Sequence, residues 1–274
     1  MSIATLNDYI GAEKQIIPIS RTATRTTVAN NYFSLFDIAG NPGAGTLAGT
    51  STTAGVVPTD ATAGCPAINF TTGRGYLSVV DFGSTVACRL MVADMLFKAG
   101  AFPYSAGTTT LSAQPSYSSR IPSGTDYTGL QIWIEVSTAF VTGNNWKVEV
   151  TYTDQSGNAG HTTGAQPATA LAASGLTIGK MLQLPLASGD SGVSMIESVI
   201  VTNGSTAMTV GAFNVLVLRP LWSGRVRSAN DGDVHGLDRT GMPEVWADSA
   251  IIIAVNADST SSGLPDLMVE IASK

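Results

Sequence analysis

Two neighbouring runs of alternating residues restrict the fold of this chain more than any other feature. Leu130, Ile132, Ile134 and Val136 alternate with Gln131, Trp133 and Glu135. Beyond Gly143-Asn144-Asn145, Trp146, Val148, Val150 and Tyr152 alternate with Lys147, Glu149 and Thr151. Side chains of a strand point to opposite faces with a period of two, so each run reads as a strand with one buried face. A Gly/Asn turn between two such runs predicts a β-hairpin over Leu130–Thr153. In that hairpin Trp133, Glu135 and Glu149 fall on the solvent side.

The same punctuation recurs along the chain. Ile17–Ile19, Arg25–Phe36, Tyr76–Asp81, Val86–Val92, Met181–Leu186, Ile196–Thr202, Met208–Leu218, Glu244–Val255 and Leu267–Ala272 read as strands between Gly, Asn, Ser and Pro turns. Asn203-Gly204 predicts a second hairpin. Ala93–Ala101 fits a short helix or turn, and Thr46–Ala63 and Ser228–Asp238 read as loops. No repeat of 20–50 residues and no heptad pattern is present. The expected fold is all-β: an antiparallel β-sandwich or jelly-roll-like domain with a short N-terminal helical arm and long loops.

The arm covers residues 1–20 and the sandwich 21–274, with a possible subdivision near 158–178, where the Gly/Thr/Ala-rich tract Asn158–Ser174 lies. Within the arm, residues 2–15 read as a helix with Ser2 as N-cap and Ile3, Leu6, Tyr9 and Ile10 in one narrow stripe. So short a helix is marginal alone in water. Its stripe needs a surface, either its own domain or a neighbouring subunit.

Composition narrows the function classes. Charged residues make up 12% of the 274 residues, against about 25% in ordinary domains, and the net charge is −6. No global basic field exists to attract nucleic acid. No run approaches the ~20 apolar residues of a membrane span, and MSIATLNDYIGAEKQ, without a basic or an apolar region, does not read as a secretory signal. Cys65 and Cys88 are too few for a disulfide framework and read as free, small, half-buried thiols of a protein made in a reducing cytoplasm. A Ser/Thr/Gly-rich, charge-poor exterior fits a surface covered by other protein.

Little in the chain carries catalytic chemistry. His161 reads as a solvated loop histidine. His235 sits with Asp231 and Asp233 at alternate positions, but a calcium loop needs a longer oxygen series and zinc needs more ligands. Gly43-Ala44-Gly45 and Gly73-Arg74-Gly75 lack the rest of a phosphate loop, and no Gly-x-Ser-x-Gly elbow occurs. Glu135 and Glu149 read as surface charges on adjoining strands. No catalytic residue, cofactor or metal is expected. Exposed aromatics at Trp133, Tyr104, Tyr117 and Tyr127 would suit either a protein interface or stacking on sugar rings.

Several stretches carry a family resemblance: SIATLNDYIGAEKQ at the start, TTVANNYFSLFDIAGNPGAGTLAG, GVVPTDATAGCPAIN, RGYLSVVDFGSTVACRLMVADMLFKAGAF, PSYSSRIPSGTDYTGLQIWIE and FNVLVLRPLWSGRVR. In these the chain resembles virion structural proteins of tailed bacteriophages, of the head decoration (cement) type. The resemblance implies a non-enzymatic protein that binds the outside of a capsid lattice and stabilises it against internal DNA pressure. It also implies the major capsid protein and further copies of itself, as dimer or trimer, as partners, with no nucleic acid or membrane partner. The protein would reside in the virion after synthesis in the host cytoplasm. A tail or baseplate component and a carbohydrate- or receptor-binding virion module are the alternatives. The expected interface residues are Ile3, Leu6, Ile10 and Trp133.

Overall fold

The computed structural model describes residues 3–141, 143, 146–171, 175–203 and 209–274. In chain order these form α1 (Leu6–Ile10), β1 (Glu13–Arg21), β2 (Tyr32–Ser34), β3 (Gly40–Asn41), β4 (Arg74–Ser84), β5 (Cys88–Pro103) and β6 (Gly107–Thr110). Then follow β7 (Gln131–Val141), β8 (Trp146–Asp154), β9 (His161–Thr162), β10 (Gln166–Leu171), β11 (Lys180–Leu184) and β12 (Val193–Thr202). The rest are β13 (Val210–Val226), β14 (Asp231–His235), α2 (Leu237–Thr240), β15 (Glu244–Trp246), β16 (Ile251–Ala257) and β17 (Asp266–Ser273). The fold is all-β and antiparallel, as the alternation predicts.

The chain divides into two compact units. One comprises residues 1–46, 58–94 and 220–274, and the other 47–57 and 95–219. The boundaries fall inside β5 and β13, not near 158–178. A low-complexity tract resembles a linker in sequence, but here it lies within one unit.

In the first unit a sheet runs β14-β4-β17-β1-β3, with β15 also on β4. Ile17 lies opposite Val269, which lies opposite Val80, and Ile19 lies opposite Leu267, which lies opposite Phe82. These rows form one face and are all buried, in a core shared with Phe33, Leu90, Ile251 and Ile253. Pro18 is tolerated in β1 because the outer neighbour β3 reaches only Ser20 and Arg21, so Pro18 sits at a near-edge position where a missing N–H costs little. Residues 13–20 are therefore sheet, and the arm expected over 1–20 is confined to the residues before Glu13.

In the second unit β8 is paired with β12, and β10 and β9 also pair with β8. β7 is paired with β11 and with the first part of β13. The hairpin expected over Leu130–Thr153 does not form: β7 and β8 belong to different sheets. Nor do β12 and β13 pair across Asn203-Gly204. In both places the chain leaves one sheet and enters the other. The antiparallel ribbon β7/β13 thus continues as the ribbon β8/β12 after a fold, the corner by which a sandwich is made. Asn144, Asn145 and Gly204 themselves lie outside the described residues.

β8 keeps its predicted alternation, burying Trp146, Val148, Val150 and Tyr152. Trp146 packs edge-on against Phe140 and Phe213, with ring centroids 5.1 and 5.3 Å away. β7 does not keep it: Ile132–Val136 is buried on both faces. Ala93–Ala101, expected as a helix or turn, lies in the 16-residue strand β5, buried from Leu90 to Gly100. A continuous apolar run has no period, so sequence alone cannot separate a doubly covered strand from a buried helix. No disulfide joins Cys65 and Cys88, and both thiols are buried.

Candidate docking surface

Helix α1 is held through its polar side chains and displays its apolar ones. Thr5, not Ser2, caps it: the Thr5 hydroxyl accepts from the Asp8 N–H at 3.2 Å while the Asp8 carboxylate accepts from the Thr5 N–H at 3.0 Å. This reciprocal box satisfies two otherwise orphaned donors. Ser2 lies outside the described residues. The Lys274 ammonium also reaches Asp8, and that bond, with the Thr5 hydroxyl, holds the Asp8 carboxyl far below its usual range. The Tyr9 hydroxyl donates to Glu270 at 2.7 Å, and the Lys14 ammonium lies 4.6 Å from the centre of the Tyr9 ring. The helix is thus tied to β17.

Leu6 and Ile10, four residues apart on one helix face, stay 64% and 65% exposed, and Ile3 is half-buried. The outward face of the sheet to which the helix is tied carries exposed apolar residues of its own. Ile16 in β1 is 57% exposed, and Pro18 lies opposite Met268 of β17, which lies opposite Asp81 of β4, itself opposite Val234 of β14. Met268 and Val234 are also exposed. A soluble surface tolerates scattered apolar residues, but here Leu6, Ile10, Ile16, Met268 and Val234 all belong to one sheet and the helix tied to it.

The fourth expected interface residue is not on a surface. Trp133 is 3% exposed and its Nε1–H donates to Gln131 at 2.9 Å. Tyr117 is buried and donates to the Val193 carbonyl at 3.1 Å, while Tyr104 and Tyr127 are half-buried against the same core. Trp133 and Tyr117 therefore pack inside, Trp133 because β7 is covered on both sides, and Tyr104 and Tyr127 are only partly exposed. Glu135 is corrected with them. At 2% exposure it accepts from Asn214 Nδ2 at 3.1 Å and faces Lys98 at 3.9 Å. It is a buried polar tie, not a surface charge near Glu149.

His161 is not a solvated loop residue either. Its Nδ1 bonds Asp190 at 2.7 Å and its Nε2 lies 3.9 Å from Asp154. Among the described residues these three form the group whose ligand-type atoms come within 4.8 Å of one another. Each carboxylate is already engaged. Asp154 accepts from the Ser156 and Asn158 backbone at 2.8 Å, and Asp190 accepts from the Tyr152 hydroxyl at 2.6 Å. The cluster closes a loop onto β8. Asp190 is remote from His161 in sequence, so no spacing motif announces it. Among the described residues no cluster of three ligand-type groups includes His235, whose Nδ1 accepts from Trp222 Nε1–H at 2.9 Å.

No family model matches the chain, and no curated protein matches it. Two viral capsid structures are distantly similar. One is the infectious bursal disease virus VP2 subviral particle, at 8% identity and a TM-score of 0.23, covering 96% of this chain and 80% of that one. The other is the Israel acute paralysis virus pentamer, at 10% identity and a TM-score of 0.13, covering 81% and 72%. Neither likeness is close enough to transfer a fold or a function.

Proposed function

We propose that this chain is a non-enzymatic structural protein of a tailed-phage particle, a capsid decoration (cement) protein that binds the outside of the capsid lattice and stabilises it. The family resemblance suggests the role. The observation that carries the docking mode is helix α1, pinned by Asp8–Lys274 and Tyr9–Glu270 while Leu6 and Ile10 face solvent. A helix spending its polar contacts on its own sheet and its apolar ones on water suits a partner surface. Fully burying one such side chain contributes roughly 1.5–3 kcal/mol. That is weak for one copy and substantial when copies bind a repeating lattice side by side.

The test is co-sedimentation with capsids stripped of this protein, with copy number measured against the major capsid protein. A deletion should stop at residue 11, because Glu13 already pairs with Ser273. That deletion and Leu6→Asp/Ile10→Asp should fold normally and lose binding. Wild-type-like binding by either would refute the docking mode, and a few copies per particle would move the protein to the tail or baseplate.

A further inference from the structure

The first unit contains an open cavity of about 780 Å³ with Arg89, Arg225, Arg227 and Arg239 among its lining residues. These are four of the nine arginines in a chain of net charge −6. We propose that it binds a compact, multiply charged phosphate oxyanion.

The fold assembles the cavity from separate segments. At the end of β13 Ser223 and Arg225 are exposed, as is Arg227 just beyond it, while Trp222, Gly224 and Val226 are buried. β5 supplies Arg89, and α2, directly after β14, supplies Arg239. A side chain at position 224 would put its Cβ 2.2 Å from the Trp222 ring, so glycine is what allows that ring to lie against the strand. Trp222, Phe82 and His235 then meet edge to face, with centroids 4.6–5.4 Å apart. The Trp222 N–H fixes His235 Nδ1 as acceptor, which places the ring hydrogen on Nε2, 3.7 Å from Asp233.

Asp233 is the single carboxylate residue of the lining and holds Arg239 at 3.1 Å. Arg225 reaches only a partly exposed Asp258 at 3.5 Å, a contact worth little in water. Among the described residues Arg89 and Arg227 have no carboxylate partner. Four guanidinium groups around one hollow repel one another unless an anion joins them.

Guanidinium forks match phosphate oxygens two at a time, favouring phosphate over a spherical anion. Compactness follows from the surroundings. A long polyanion leaving the cavity would meet a protein whose other residues are net acidic, beyond the ~8 Å over which salt leaves the cluster felt. The lining holds no Phe, Tyr or Trp on which a base could stack, and its one aromatic ring, His235, is already packed against Trp222 and Phe82.

The experiment is isothermal titration of the full chain with tripolyphosphate at low ionic strength. The variants are Arg227→Ala, Arg227→Lys and Arg89→Ala/Arg227→Ala, with Arg74→Ala, a residue outside the cavity, as control. All four arginines are at least part-exposed, and a melting curve checks that each variant folds. Affinity should fall about 10-fold per arginine removed, fall less for the lysine variant, and stay unchanged in the control. Tripolyphosphate and a nucleoside triphosphate should bind alike. Absence of binding, or binding indifferent to the double variant, would overturn the proposal. So would preference for a DNA duplex at equal phosphate, or for polyglutamate, which would mark a nucleic-acid or acidic-protein site instead. None of these results depends on capsid docking.

Discussion

Replacing Tyr152 by phenylalanine removes one oxygen that serves two partners. Tyr152 is fully buried. Its hydroxyl donates to Asp190 at 2.6 Å and accepts the Ala187 N–H at 2.7 Å. A hydrogen bond to a charged group contributes about 1.5–3 kcal/mol, and an orphaned amide costs about 1–3 kcal/mol more. Ala187 is half-buried, so water can satisfy part of that amide, and the expected loss is roughly 2–4 kcal/mol. His161 retains its own bond to Asp190, so the loop should loosen without detaching. Burial, reinforced by the bond to Asp190, pushes the Tyr152 hydroxyl up to about 12 from an ordinary 10. The folded protein thus keeps a proton that the unfolded chain releases. Stability from this group is intact below pH 10 and drains away as pH rises through 10 to 12. Urea unfolding of both proteins, compared at each pH so that other tyrosines cancel, tests this. The gap between wild type and Tyr152→Phe should be wide at neutral pH and narrow above 10. A gap below about 0.5 kcal/mol, within the usual range of surface substitutions, or one flat across that window would refute the argument.

Glu135→Ala should destabilise by about 3 kcal/mol, because in the interior Asn214 loses an acceptor and Lys98 an opposite charge, and Glu135→Gln should recover part of it in the same urea assay. The Cys88 thiol is fully buried, and burial raises its pKa, so a thiol reagent should label it only at the rate of unfolding. Gly192→Ala should lower the melting temperature, since its new Cβ would stand 1.9 Å from the Tyr127 carbonyl oxygen and backbone must move, at about 1–3 kcal/mol. Thr5→Ala removes the cap of α1 and should weaken particle binding while leaving the melting temperature of the sheets unchanged.

Period-two patterns found strands with one wet face, as in β8 and β17, but missed the start of β1, read as arm helix, and β14, read as loop. They misassigned side chains in β7 and the secondary structure of Ala93–Ala101, where both faces are covered. Turn residues at Gly143-Asn144-Asn145 separate β7 from β8 in the sequence, but two of the three lie outside the described residues. They could not say whether the next strand joins the same sheet, because that depends on partners far away in sequence. The exposed pair Leu6/Ile10 was legible from helical spacing, although the helix is shorter than that spacing implied. Trp133 was not legible: its neighbours Gln131 and Glu135 imitate a solvent face, and only the Asn214–Glu135 contact from a distant strand explains a buried carboxylate. The arginine cavity was invisible for the same reason. Arg225 and Arg227 stand out as a pair, but Arg89 and Arg239 reach them only through the fold.

The placement of β17 in its sheet has a consequence for synthesis. This last strand lies between β1, the first, and β4, and Ile271 and Val269 contribute to the core beneath all three. A ribosome therefore releases β1 and β4 long before the strand that joins them exists. The second unit draws its strands from residues 95–219, so it can pair them while the first still waits. Long-range pairing of this kind is slow and leaves strand edges open meanwhile. Nascent chains halted ahead of Asp266 should expose an unpaired β1 and β4 to aggregation, and loss of the last strand should be far more damaging than loss of the first eleven residues.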